Sequence, residues 1–210
     1  MRKQKLDGCD LVRHFGIGFL NGKKFIRNIW NHKMNFKELY EKFSRHPEGL
    51  WILGYGDACR IYEMIKKLKP KKLLDLGTGI GCGTAIMAQA LKDVGIKPRS
   101  LSDGDDGSVI DSVEQNPKCS RLAEQLIPQD LREYIRIFDA PAIIKEFEEV
   151  PYQYFSVFDG LPTDSYDFVL IDGPGPLLDS KGKFAEAPNG DILILLNELK
   201  EDAIVYLDQR

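Results

Sequence analysis

The 210-residue sequence is poor in cysteine and histidine. Four cysteines (Cys9, Cys59, Cys82 and Cys119) lie far apart with no Cys-x-x-Cys pair. That spacing argues against a disulfide scaffold or a cysteine-rich zinc centre and suits a reducing compartment, so a cytoplasmic location is expected. His14, His32 and His46 are scattered along the chain, and the preferred reading is three satisfied histidines rather than one shared site. No run approaches 18 uninterrupted apolar residues, so no transmembrane segment is expected. The N-terminus, MRKQKLDGCDLVRHFG, has the charges of a signal peptide without its apolar centre. Internal repeats and strong net charge are lacking too, the formal charge being −3.

What is present is ordinary globular material, 43% hydrophobic and 29% charged, enough for one domain with an appended segment. The charge is unevenly placed. Residues 1–37 hold nine Lys or Arg against Asp7 and Asp10, a net of +7, which leaves 20 basic and 30 acidic side chains, −10, for the rest. An acidic body does not favour nucleic acid as a partner. The division expected is a basic arm with lid helices over residues 1–49 and the main domain over 50–210. In the arm, basic residues alternate with Phe15, Phe19, Phe25, Ile26, Ile29 and Trp30. That mixture could meet a membrane surface or a lipid-linked substrate, but a packed lid with solvated lysines is preferred.

A helix is expected from about Lys23. A second, with Phe36, Leu39, Tyr40 and Phe43 on one face, has Asn35 as its N-cap. Another runs from Asp57 to Leu68 and ends before Pro70. Beyond Pro70 strands and helices alternate. Strands are expected at Lys72–Leu76, Val109–Glu114, Tyr134–Phe138, Phe168–Ile171 and Ala203–Leu207, with a short extra strand near Tyr152–Val157. Helices are expected at Thr84–Leu91, from Pro117 to Leu126, from Pro141, and at Ile192–Leu199. This alternation predicts an α/β fold with a doubly wound, mostly parallel sheet, whose strand C-termini share one edge where ligands bind.

Residues 73–83 read LLDLGTGIGCG, with Asp75 closing a strand and Gly77, Gly79 and Gly81 at alternate positions just before a helix. The dinucleotide pattern GxGxxG would put Cys82 or Thr84 at its third glycine. The acidic-x-GxGxG order found here instead resembles motif I of the class I S-adenosylmethionine-dependent methyltransferases. The stretch Val113–Cys119, VEQNPKC, resembles the corresponding element of catechol-type O-methyltransferases, and Gly56-Asp57-Ala58 resembles the mouth of their cofactor pocket. The resemblance extends over roughly Leu50–Arg210. It implies S-adenosylmethionine as cofactor, held by Asp75, Gly77, Thr78, Gly79, Gly81, Glu114, Gln115, Asp139, Ala140 and Asp172. Glu114 would accept hydrogen bonds from the ribose hydroxyls, Asp139 and Ala140 would meet the adenine, and Asp172 would stand beside the sulfonium as the catalytic residue. Trp51 and Tyr55 could roof the cofactor.

The expected reaction is O-methylation of a hydroxylated small molecule or sugar-like acceptor, with the loop Gly173–Gly190 and the N-terminal helices selecting it. The family's Mg²⁺ ligands would correspond to Asp172, Asp208 and Gln209, but Gln replaces Asn and Gly175 stands where a lysine base is implied. A divalent metal is therefore not favoured. Two other readings stay open: a non-catalytic S-adenosylmethionine- or nucleotide-binding module and, less favoured, an NAD-dependent oxidoreductase. The resemblance implies seven strands, so a longer native form, continuing past Arg210 with a helix and two strands, is expected. An exposed fifth-strand edge would favour a homodimer.

Overall fold

The computed structural model describes residues 36–99, 107–147, 149–156, 166–175, 187–195, 199 and 201–208. The basic arm, the helix expected from Lys23, the Asn35 cap, His14, His32, Gln209 and most of the loop after Gly175 lie outside them.

Helix α1 (Phe36–Ser44) buries Phe36 and Phe43, as its 3.6-residue spacing predicts. The Tyr40 hydroxyl donates to the Leu53 carbonyl at 2.9 Å and ties α1 to the segment before the next helix. That helix, α2 (Tyr55–Leu68), turns Ala58, Ile61, Tyr62 and Ile65 inward. It ends where Lys69 enters the left-handed region at φ 53° and donates its N–H to the Ile65 carbonyl, one residue before Pro70.

Strand β1 (Lys72–Leu76) leads through the glycine turn into α3 (Cys82–Asp93), which is buried over most of its length. Small residues along α3 allow it to pack against both the sheet and the outer helices. Strand β2 (Val109–Glu114) is buried at every position, and α4 (Pro117–Leu126) follows. Asn116 caps α4 by accepting the Lys118 N–H, and Pro117 takes the first turn, where its missing N–H is harmless. A one-turn helix, α5 (Gln129–Arg132), precedes β3 (Ile135–Asp139). The chain then makes β4 (Ala142–Phe147), β5 (Val150–Phe155), β6 (Phe168–Ile171), the short α6 (Asp191–Leu195) and β7 (Ile204–Leu207).

The five parallel strands run in the order β3-β2-β1-β6-β7. The sheet is thus mostly hydrophobic strand flanked by helices, with helices preceding it, as expected. Register sets Leu76 beside Val113 and Ile171, Glu114 beside Asp139, and Ile171 beside Leu207. All the strand C-termini therefore reach one edge of the sheet. Leu74, Leu76, Val113, Phe155, Val169, Ile171 and Leu195 form one buried cluster beneath it.

The segment expected to be helical from Pro141 is a strand instead. Its β-branched pair Ile143-Ile144 finds an antiparallel partner in β5, with Ala142 opposite Phe155 and Phe147 opposite Val150. Glu149, at φ 68°, makes the reversal between the two strands. The extra strand expected at Tyr152–Val157 begins two residues earlier, and it pairs within this hairpin rather than in the main sheet. Helix α3 starts at Cys82 rather than Thr84, directly on the last glycine of the turn.

Candidate functional site

The site is assembled where β1, β2 and β6 end. The glycines after β1 have positive φ, 112° at Gly77, 53° at Gly79 and 94° at Gly81, a region that side chains resist. Gly77 is also a point of contact, because a Cβ there would lie 2.6 Å from the Gly173 nitrogen on the neighbouring strand end. The N–H groups of Gly77 and Thr78 both donate to the Val113 carbonyl, at 3.0 and 3.1 Å. The turn is therefore bound to β2 as well as to β1.

Glu114, at the tip of β2, is 6% exposed. Its carboxylate accepts the Gly79 N–H at 2.7 Å on one oxygen and the Asn116 N–H at 2.8 Å on the other. Burial raises its pKa, against the lowering effect of the Asn116, Gly79 and Gln115 N–H groups. With three N–H groups on about four lone-pair directions, the carboxylate keeps capacity to accept a ligand hydroxyl.

Beneath the turn, Asp75 belongs to a buried polar cluster. One of its oxygens accepts the Thr84 hydroxyl at 2.5 Å and the Ser112 hydroxyl at 3.1 Å, and Ser112 also meets Thr78 at 2.6 Å. The other oxygen, Oδ1, is buried with no hydrogen-bond partner. Burial, opposed by the two hydroxyls, pushes the Asp75 pKa up to about 6. Asp75 thus braces strand, turn and helix from below.

Asp139 closes β3 with its carboxylate exposed and accepting from the Ser120 hydroxyl. Ala140 is buried and donates its N–H to the Glu114 carbonyl at 2.8 Å. Asp172 is half-buried and donates its N–H to the Leu76 carbonyl at 2.8 Å, which places its backbone directly beside Gly77 at the start of the glycine turn. Asp208 stands at the end of β7, its N–H on the Ile171 carbonyl at 3.0 Å. Among the described residues no three His, Cys, Asp or Glu side chains converge as a metal site would require. His46 lies apart from this edge in sequence and uses its Nδ1 locally, accepting the Glu48 N–H at 3.2 Å.

The turn after β6 is held by side chains that the sequence reading did not single out, Gln115 apart. Three successive carbonyls each accept from an amide: Gly173 from Asn189, Pro174 from Gln153 at 3.3 Å, and Gly175 from Gln115 at 3.3 Å. The Oε1 of Gln115 is buried without a partner. A sequence signal existed for one of these, since Asn189-Gly190 is a turn dipeptide. Ser112 and Thr84 carried no signal beyond lying next to the motif. Asp57, from the stretch expected at the mouth of the pocket, accepts the Tyr206 hydroxyl at 2.6 Å and Arg60 at 3.0 Å, linking α2 to β7. Trp51, expected as a possible roof, is 84% exposed, whereas Tyr55 packs edge-on against Tyr40.

No family model matches the chain, and no curated protein matches it. Solved structures do. The SAH-bound Podospora anserina methyltransferase PaMTH1 superposes with a TM-score of 0.56 at 13% identity, over 99% of this chain and 73% of that one. A Staphylococcus aureus structure, provisionally named a caffeoyl-CoA O-methyltransferase, gives 0.57 at 18% identity over 90% and 73%. A methyltransferase from Geobacter sulfurreducens gives 0.53 at 13% identity over 89% and 77%. The chain has the class I S-adenosylmethionine-dependent methyltransferase fold. No helix among the described residues is long and apolar enough to cross a membrane.

Proposed function

We propose that the chain is an S-adenosylmethionine-dependent methyltransferase that acts on a hydroxyl of a small molecule. The observation carrying this reading is the joint formed by Glu114 with Gly79, an acidic strand tip bonded to the backbone of the glycine turn. The residues present suit the cofactor. Gly77–Gly81 offers a close backbone approach, Glu114 has acceptor capacity left for a ribose hydroxyl, and the buried Gln115 Oε1 is an unused acceptor at the same edge. Asp139 and Ala140 line the adenine side, and Asp75 and Thr78 hold the turn from beneath.

Bound there, S-adenosylmethionine would supply an electrophilic methyl group for transfer to an acceptor oxygen. Asp172, on the β6 side of the turn, orients the acceptor hydroxyl and takes its proton as the carbon–oxygen bond forms. Displaced water and fixed alignment supply most of the rate, so the walls around Asp172 matter as much as its carboxylate.

Isothermal titration with S-adenosylmethionine, S-adenosylhomocysteine and NADH tests the reading. Micromolar binding of the first two, lost in Glu114→Ala, supports it. Preferential binding of NADH, or of none of the three, overturns it. Asp172→Ala should abolish methyl transfer while leaving affinity for the uncharged S-adenosylhomocysteine within about three-fold, which separates an enzyme from a binding module.

A further inference from the structure

The turn that carries Asp172 is fixed from three directions by neutral side chains. Asn189 precedes α6, Gln153 lies on β5, and Gln115 follows β2. Their amide nitrogens donate to the carbonyls of Gly173, Pro174 and Gly175 in order. The orientation of Asn189 is settled by its other end, since Oδ1 accepts the Asp191 N–H at 2.9 Å and only the nitrogen is left for Gly173. Gln153 is 6% exposed, and its own backbone is bonded on both sides to the segment carrying Asn189. Its N–H donates to the Pro188 carbonyl at 3.0 Å, and its carbonyl accepts the Gly190 N–H at 2.9 Å. Asp191 completes the brace by accepting the Phe155 N–H at 3.0 Å. Hairpin, turn and α6 are thus one hydrogen-bonded body, built on the hairpin whose first strand, β4, stands where a helix was expected.

We propose that Asn189 and Gln153 are positioning residues for methyl transfer: by holding the carbonyls of Gly173 and Pro174 they fix the adjoining Asp172 beside the sulfonium. The inference rests on the methyltransferase reading above. Neither residue touches the reacting atoms. Each acts through the backbone on the placement of one carboxylate, so its loss should register on the charge of the ligand rather than on its adenosine portion. S-Adenosylmethionine is cationic at sulfur and S-adenosylhomocysteine is not, which makes their affinity ratio a direct readout that needs no acceptor.

Two variants remove the donors with little change of shape. Gln153→Met keeps length and apolar bulk, and Asn189→Ser keeps an oxygen for the Asp191 N–H while withdrawing the amide from Gly173. Both are compared with wild type and Asp172→Asn by calorimetry with the two ligands. Deuterium uptake of residues 172–175 is followed in the unliganded proteins. The expected result is uptake faster by about ten-fold in that segment, with β1 and β2 unchanged. The preference for S-adenosylmethionine over S-adenosylhomocysteine should fall by about three- to five-fold, toward the Asp172→Asn value. Parallel weakening of both ligands, an unchanged ratio, or unchanged uptake overturns the positioning role while leaving the methyltransferase reading intact. Wild type that binds neither ligand overturns both.

Discussion

The Glu114 carboxylate and the Gly79 N–H are 2.7 Å apart, which makes the tip of β2 and the glycine turn after β1 a single mechanical unit. The same carboxylate's second oxygen holds Asn116, the cap of α4. One side chain therefore aligns two loops and, in the proposed function, the ribose between them.

Glu114→Gln is expected to be nearly as damaging as Glu114→Ala. The amide has one oxygen, so its NH₂ group must face either the Gly79 or the Asn116 N–H, donor against donor. Affinity for S-adenosylhomocysteine should drop by about ten-fold or more in both variants, as measured by calorimetry.

Gly77→Ala should destabilise the protein by about 2–4 kcal/mol, read from urea unfolding. The added carbon would sit 2.6 Å from the backbone nitrogen of Gly173 at a φ of 112°, and neither strand end can yield without losing its ladder bonds. Gly79→Ala has open space at its Cβ and should cost less, about 1 kcal/mol, from backbone strain alone.

The buried carboxyls of Asp75 and Asp191 make stability depend on pH. Burial pushes Asp191 up to about 7 and Asp75 up to about 6, from an ordinary value of 3.8. Raised folded-state values mean that each proton is held more tightly by the folded chain. The contribution is complete below pH 3.8 and is lost as pH rises through about 6 for Asp75 and about 7 for Asp191. Unfolding free energy should therefore decline from pH 4 to 8, and Asp191→Asn should flatten the upper part of that decline by roughly 1–3 kcal/mol. An unaltered profile in the variant would assign the dependence to other groups.

Arg136→Met should cost more than Asp111→Asn, although both break the same pair. Asp111 is fully buried and accepts Arg136 at 2.6 and 2.8 Å and the Tyr166 hydroxyl at 2.6 Å. Removing the guanidinium strands a buried charge, about 3 kcal/mol or more, whereas Arg136 is exposed enough to rehydrate once Asp111 is neutral. Chemical denaturation should show this order, with cofactor affinity unchanged in both.

The parallel sheet was legible because its strands are short segments, at least half apolar, bounded by polar or glycine-rich breaks and separated by helical patterns. The turn from Asp75 to Gly81 was legible because positive φ leaves few alternatives to glycine. The hairpin was not: Pro141 is as acceptable before a strand as at the start of a helix, and AIIKEF has no clear period. What settles it is the pairing of Ala142 with Phe155, a contact 13 residues away that local propensity does not contain. The amide brace was equally hidden. Gln153 and Asn189 are 36 residues apart, and although Asn189-Gly190 marks a turn, nothing local pairs it with Gln153 until β5 is laid against the segment before α6.

The place of β1 between β2 and β6 also governs how the chain is made. Its first side is covered by a strand that follows within about 40 residues, but the second waits for Asp167, whose carboxylate accepts the Lys71 N–H across 96 residues of sequence. As the polypeptide emerges from the ribosome, β1, β2 and β3 are complete while the other flank of β1 still presents bare backbone and apolar side chains. That interval, some seconds at ordinary elongation rates of about 5–20 residues per second, is when a nascent chain of this topology is most exposed to mispairing. Arrival of Phe168–Ile171 closes the central strand and, in the same step, brings Asp172 to the glycine turn.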